Sequence, residues 1–163
     1  MRILGIDPGA AITGFGLIEQ DSHDQFFSLQ YGVITTSSGL PVEQRLLIIF
    51  QEISKIILLH QPETAAVEKL FFQRNVSSAM AVGQARGVVL LALAQAGIPF
   101  QEYTPNEVKQ SVTGYGSADK GQIQEMVKML LRLEKIPKPD DAADALAIAL
   151  CHANMNKWKQ LAK

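Results

Sequence analysis

The sequence predicts an α/β protein with a mixed five-stranded sheet flanked by helices on both faces. Two observations carry this. The first 36 residues read as three short apolar runs divided by turn signals, an antiparallel meander with brief connections. Beyond them, two further strand-like runs alternate with segments of helical periodicity, an order that needs parallel pairing and crossover helices.

The elements follow in order. RILGID (residues 2–7) is apolar and β-branched and ends at Pro8-Gly9, and after the turn PGAAIT a second strand reads GFGLIEQ (residues 14–20). The third, FFSLQYGVITT (residues 26–36), holds Gly32, read as a bulge. PVEQRLLIIFQEISKIILLHQ then has Pro41 at the first turn and sets Leu46, Ile49, Phe50, Ile53, Ile56 and Ile57 on one stripe. TAAVEKL is a short strand with Glu68 at its end, and SSAMAVGQARGVVLLALAQAG is a more buried helix closed by Gly97. Its Gly83 and Gly87, four apart, suit close packing and make this helix the candidate dimer surface. IPFQEY is the fifth strand, and Thr104 before Pro105 is an N-cap for the next helix. DKGQIQEMVKMLLRL is a further helix, KIPKP breaks it, and DDAADALAIALCHAN is the last, with acids in its first turn.

A chain of 163 residues fits one domain, and 47% hydrophobic with 19% charged residues excludes wholesale disorder. Cys151 is the single cysteine, so no intrachain disulfide forms and a reducing cytoplasm is expected. Asp7 interrupts the apolar start, so no signal peptide is expected, and no apolar run approaches the roughly 20 residues of a membrane span. Net charge is −1, unevenly spread. Residues 1–68 hold 3 basic and 8 acidic side chains, and residues 69–139 hold 9 basic and 5 acidic. A cationic surface beside a carboxylate cluster fits this, and an ordinary mixed surface fits it as well.

The carboxylates are the chemical signal. Asp7 and Glu68 each end an apolar strand, and Asp141 and Asp144, three apart, share a helix face. Taken singly, Asp7 reads as a turn residue, Glu68 as a solvated strand end, and Asp140 or Asp141 as an N-cap. Asp144 is too deep in its helix to cap it and stands among small apolar residues. Four acids gathered at one sheet edge repel one another unless a cation is bound. Hard divalent ions want such oxygen ligands, whereas His23, His60 and His152 lack ligand spacing and are read as structural. Two metal ions held by such acids fit phosphodiester hydrolysis, one activating water and the other stabilising the leaving oxygen.

GIDPG, TGFGLIE, VEKLFF, GQARG, VKQSVTGYGSADK and DDAADALAIALCH, in this order, closely resemble the RuvC-type Holliday-junction resolvases of bacteria, over residues 1 to about 153. The resemblance implies a ribonuclease-H-like fold and a homodimer that nicks four-way DNA junctions symmetrically with Mg²⁺, two ions per subunit, Mn²⁺ substituting. It implies 5′-phosphate and 3′-hydroxyl ends, a role in homologous recombination and repair, and the RuvA and RuvB branch-migration complex as partner. The family's catalytic and metal-binding acids fall on Asp7, Glu68, Asp141 and Asp144, the D-A-A-D pattern selecting Asp141 over Asp140. Its basic positions fall on Lys109 and Lys120 and its aromatic after the second acid on Phe71, with Arg74 a further phosphate contact. Residues 1–155 are then one domain and 156–163 a flexible C-terminal tail. Two rivals stand beside this. DPGAAITGFG also resembles the first phosphate loop of the actin and sugar-kinase superfamily, whose two-domain cleft needs a longer chain. A junction-binding module without catalysis would not need all four acids.

Overall fold

A computed structural model describes residues 1–69 and 76–161. Its strands are β1 (Arg2–Asp7), β2 (Ile12–Gln20), β3 (Phe26–Thr35), β4 (Thr64–Glu68) and β5 (Phe100–Tyr103). Its helices are α1 (Val42–His60), α2 (Val76–Gln95), α3 (Pro105–Thr113), α4 (Lys120–Leu130) and α5 (Asp140–Leu161). The strands form one sheet in the order β3-β2-β1-β4-β5. β1–β2 and β2–β3 pair antiparallel, β1–β4 and β4–β5 parallel, so the meander and the crossover half both stand as expected.

Alternation along the strands divides the core in two. Leu4, Ile6, Leu17, Ala65 and Val67 pack with Ile49, Ile53 and Ile57 of α1 and Val89 and Leu93 of α2. Ile3, Ile18, Ala66 and Tyr103 pack on the other face with Val108 and Val112 of α3, Ile123 and Val127 of α4, and Leu146, Ile148 and Leu150 of α5. The stripe read on α1 is therefore its buried face, with Phe50 and Ile56 at its margin.

Local signals set most boundaries. Pro41 stands just outside α1, its carbonyl accepting the amides of Gln44 and Arg45. Thr104 caps α3 in a reciprocal box with Glu107, and Asp119 does the same for α4 with Gln122. One expectation is corrected. Gly32 pairs in register with Phe15, and the irregularity falls past the second pair beyond it, where Leu17 and Ile18 face Gln30 and Ser28 and leave Leu29 over. Gly32 instead makes room for a ring, since a Cβ there would stand 3.1 Å from Phe15 Cζ. α5 runs to Leu161, past the end expected for it.

Two of the three histidines are tied into the scaffold by their side chains. The buried His152 hydrogen-bonds the Tyr103 hydroxyl at 2.8 Å and Thr64 Oγ1 at 3.0 Å, and His60 Nε2 meets Gln30 Oε1 at 2.6 Å. Among the described residues no helix is long and apolar enough to cross a membrane.

Candidate active site

Strand alternation puts Ile3, Gly5 and Asp7 of β1 on the α5 side, and Thr64, Ala66 and Glu68 of β4 likewise. The parallel register pairs Ile6 with Val67, so Asp7 and Glu68 follow at the same sheet end and hydrogen-bond through their side chains. The chain then leaves through a turn held by hydroxyls. Thr13 donates to the Gly9 carbonyl at 2.7 Å, and Thr36 to the Ala10 carbonyl at 2.5 Å. Arg45 Nε donates to Thr36 Oγ1 at 2.9 Å, tying the turn to α1.

The second pair of acids arrives on α5, and glycine decides how close. A Cβ on Gly5 would lie 2.1 Å from the Ala145 carbonyl oxygen, and one on Gly14 2.0 Å from that of Asp141. A Cβ on Gly16 would lie 2.8 Å from the Leu146 side chain. Gly5 pairs with Gly16 and Asp7 with Gly14, so the missing side chains clear a patch on which the alanine face of α5 lies against the strands. This sets the first turn of α5 beside Asp7. The patch is readable in hindsight as Gly14 and Gly16 at strand period two, cross-strand from Gly5, with Ala142, Ala145 and Ala149 recurring along the last helix.

The electrostatics confirm convergence. Burial pushes the Asp7 carboxyl up to about 8, with the charges of Glu68, Asp144 and Asp141 acting the same way. Glu68 is raised by burial and by Asp144, while its hydrogen bond with Asp7 and the charge of Lys120 oppose the rise. Asp144 is raised by burial against the pull of Lys120, whose Nζ lies 3.3 Å from it. Burial works against the Lys120 charge, but Asp144 and Asp140 outweigh it and raise its affinity for the proton. Asp140 stands apart. Hydrogen bonds from Lys138 and Gln124, with Lys120 adding, hold it down at about 2. The two adjacent aspartates thus divide their work: Asp141 adds to the field on Asp7, and Asp140 pairs with lysines.

A cleft of about 240 Å³ opens beside the acids, bordered by Glu68, Asp144, Lys109 and Lys120. It joins both lysines singled out in the sequence to the carboxylate edge. Phe71 and Arg74 lie outside the described residues. The sequence reading missed Gly14, whose missing Cβ admits α5, and Val108 and Ile123, which line the cleft.

The donor chemistry fits a hard cation, since Asp7, Glu68, Asp141 and Asp144 offer only carboxylate oxygens, and burial and neighbouring carboxylates disfavour the charged forms of Asp7, Glu68 and Asp144. Among the described residues, no three His, Cys, Asp or Glu side chains are closed into a ready-made cage. Asp7 engages Glu68 instead, and Lys120 engages Asp144.

Fold and site define a ribonuclease-H-like protein with a carboxylate cluster where β1, β4 and α5 meet. The family model for crossover junction endodeoxyribonuclease RuvC matches residues 3–152, and the chain belongs to that family. It is 55% identical to the crossover junction endodeoxyribonuclease RuvC of Brevibacillus brevis, over 97% of this chain and 95% of that protein. It is 58% identical to the one from Desulfitobacterium hafniense, over 94% and 93%. Among solved structures, Thermus thermophilus RuvC in complex with Holliday junction substrate superimposes with a TM-score of 0.93 at 37% identity, covering 98% of this chain and 96% of that one.

Proposed function

We propose that this protein resolves four-way DNA junctions by paired phosphodiester hydrolysis, with Asp7, Glu68, Asp141 and Asp144 as its catalytic acids. One observation carries the assignment: strand ends and α5 bring these four acids into one electrostatic cluster, beside a cleft edged by Lys109 and Lys120. Family membership supplies the substrate class.

The four acids would hold Mg²⁺, two ions per subunit, with Mn²⁺ substituting. When bound, such ions supply an activated water and stabilise the leaving oxygen. The chain's own residues do the rest. The sheet fixes Asp7 and Glu68, and α5 fixes Asp141 and Asp144, so the acids need little rearrangement when substrate arrives. Lys109 and Lys120 take phosphate oxygens along the scissile strand. Phe71 stacks on an unpaired junction base, and Arg74 takes a further phosphate. Products carry 5′-phosphate and 3′-hydroxyl ends. The working unit is a homodimer with two sites about 30 Å apart, so that symmetry pairs the nicks. It acts in the cytoplasm, in homologous recombination and repair, with the RuvA and RuvB complex as partner.

The test is incubation with a labelled synthetic four-way junction and a matched linear duplex, in Mg²⁺ and in EDTA. Symmetric nicking of the junction alone, in Mg²⁺ alone, is the expected result. Equal cutting of both substrates, or cutting in EDTA, would overturn the proposal.

A further inference from the structure

Two lysines border the cleft beside the acids, and they stand on different helices. Lys109 lies within α3. Lys120 opens α4 and reaches across to α5, its Nζ 3.3 Å from Asp144 Oδ2 and 3.4 Å from Asp140 Oδ2. It bridges one acid of the cluster and one acid outside it. The outer acid is itself braced. Lys138 Nζ donates to Asp140 Oδ1 at 2.9 Å, which leaves Oδ2 for Lys120. Gln124, four residues after Lys120 in α4 and buried, hydrogen-bonds the Asp140 carboxylate as well. Asp140 is the first residue of α5, so its carboxylate is held against α4 where the two helices meet.

The two acids stand in different relation to this lysine once a cation arrives. When Asp144 is committed to a cation, the ammonium loses that partner and is repelled from it. A lysine held by Asp144 alone would then swing out on its long flexible stem. Resting on the nuclease reading above, we infer that Asp140 is a positioning residue for Lys120: it keeps the ammonium at the mouth of the cleft, beside the scissile phosphate, after Asp144 has been given up to the cation. Asp140 suits this task because Lys138 and Gln124 already orient it and share its charge. Lys120 and Asp140 are each about half exposed, so their pair is weak enough for the ammonium to be shared with a phosphate oxygen.

The experiment is a double-mutant cycle on the full-length protein. It reads single-turnover cleavage of a four-way junction in Mg²⁺, followed for hours so that slow variants are measured, and Mn²⁺ binding by calorimetry. Asp140→Asn keeps the shape of the side chain and removes its charge. The expected result is a loss of about threefold to fivefold in cleavage rate per folded molecule, the scale of an exposed ion pair. Added to Lys120→Gln, the same substitution should cost nothing further, whereas added to Lys109→Gln it should cost the full factor again. Mn²⁺ affinity should stay at the wild-type value in Asp140→Asn. An undiminished rate in Asp140→Asn, or an equal loss in the Lys120→Gln and Lys109→Gln backgrounds, would overturn the inference while leaving the nuclease reading intact. Weakened Mn²⁺ binding in Asp140→Asn would overturn it too, because Asp140 would then be a ligand. Failure of the wild-type protein to cut the junction would remove the nuclease reading and this inference with it.

Discussion

On one face of the sheet, β1 and β2 present Leu4, Ile6 and Leu17 to the isoleucines of α1 and the valine and leucine of α2. On the other, the same strands present Gly5 to Ala145 and Ala149, Gly14 to Asp141 and Gly16 to Leu146 of α5. The first contact is made by long side chains that interdigitate, so a lost methyl leaves a small void that neighbours partly fill. The second is closest at Gly5 and Gly14, where a strand meets backbone carbonyl oxygens of α5 that cannot yield as a side chain can. The acids stand on the second. A helix that carries two members of a charged cluster is held where its distance from the strands is fixed by atoms with no rotamers. The larger-grained face supplies hydrophobic stability and carries none of the four acids.

The comparison can be broken most forcefully at Asp7. Asp7→Asn should lower metal-dependent junction cleavage about 100-fold or more, since even groups behind metal ligands cost 10–100-fold, while junction binding in a gel-shift assay persists. Gly14→Ala comes next. Its Cβ would meet the Asp141 carbonyl at 2.0 Å, so α5 must shift. We expect a loss of about 1–3 kcal/mol in urea unfolding and about tenfold or more in cleavage per folded molecule. Ile53→Val, on the opposite face, should cost about 0.5–1.5 kcal/mol and leave cleavage per folded molecule unchanged. Equal catalytic losses at Gly14 and Ile53 would erase the distinction between the faces.

A separate effect is a pH dependence of stability. Asp7 holds its proton far above the carboxylate range when folded, up to about 8, and releases it near 3.8 when unfolded. Its contribution to stability is fully present below about pH 4 and is lost as pH rises toward 8. In EDTA, the thermal midpoint of the wild type should therefore fall across this interval, and Asp7→Asn should flatten the fall. An identical slope in the variant would place the titration elsewhere.

The sheet, the helices and the placing of acids at strand ends and on the last helix were legible in the sequence because their signals are local, whereas the choice of Asp141 over Asp140 came from the family resemblance. Strand runs end in a carboxylate, helices carry period-3.6 stripes, and Thr104 and Asp119 announce their helix starts. What stayed hidden depends on pairs of elements. Gly32 looked like a bulge because glycine often marks one, but the register places it under Phe15 and leaves Leu29 as the extra residue. Gly14 looked like an ordinary strand glycine until α5 was laid against it. The spacing of Asp140 and Asp141 did not reveal that Lys138 and Lys120 occupy the first. The cleft beside the acids arises only where α3, α4 and α5 meet the end of β4.

The central claim is that Asp7, Glu68, Asp141 and Asp144 form one cation site assembled by the glycine-packed face. Calorimetric titration of Mn²⁺ into the wild-type protein and into Asp7→Asn, Glu68→Gln, Asp141→Asn and Asp144→Asn tests it most directly. The expected result is saturable binding in the wild type, weakened in all four variants and unaffected in an Asp140→Asn control. Wild-type affinity retained in any of the four, or lost only in the control, would contradict it.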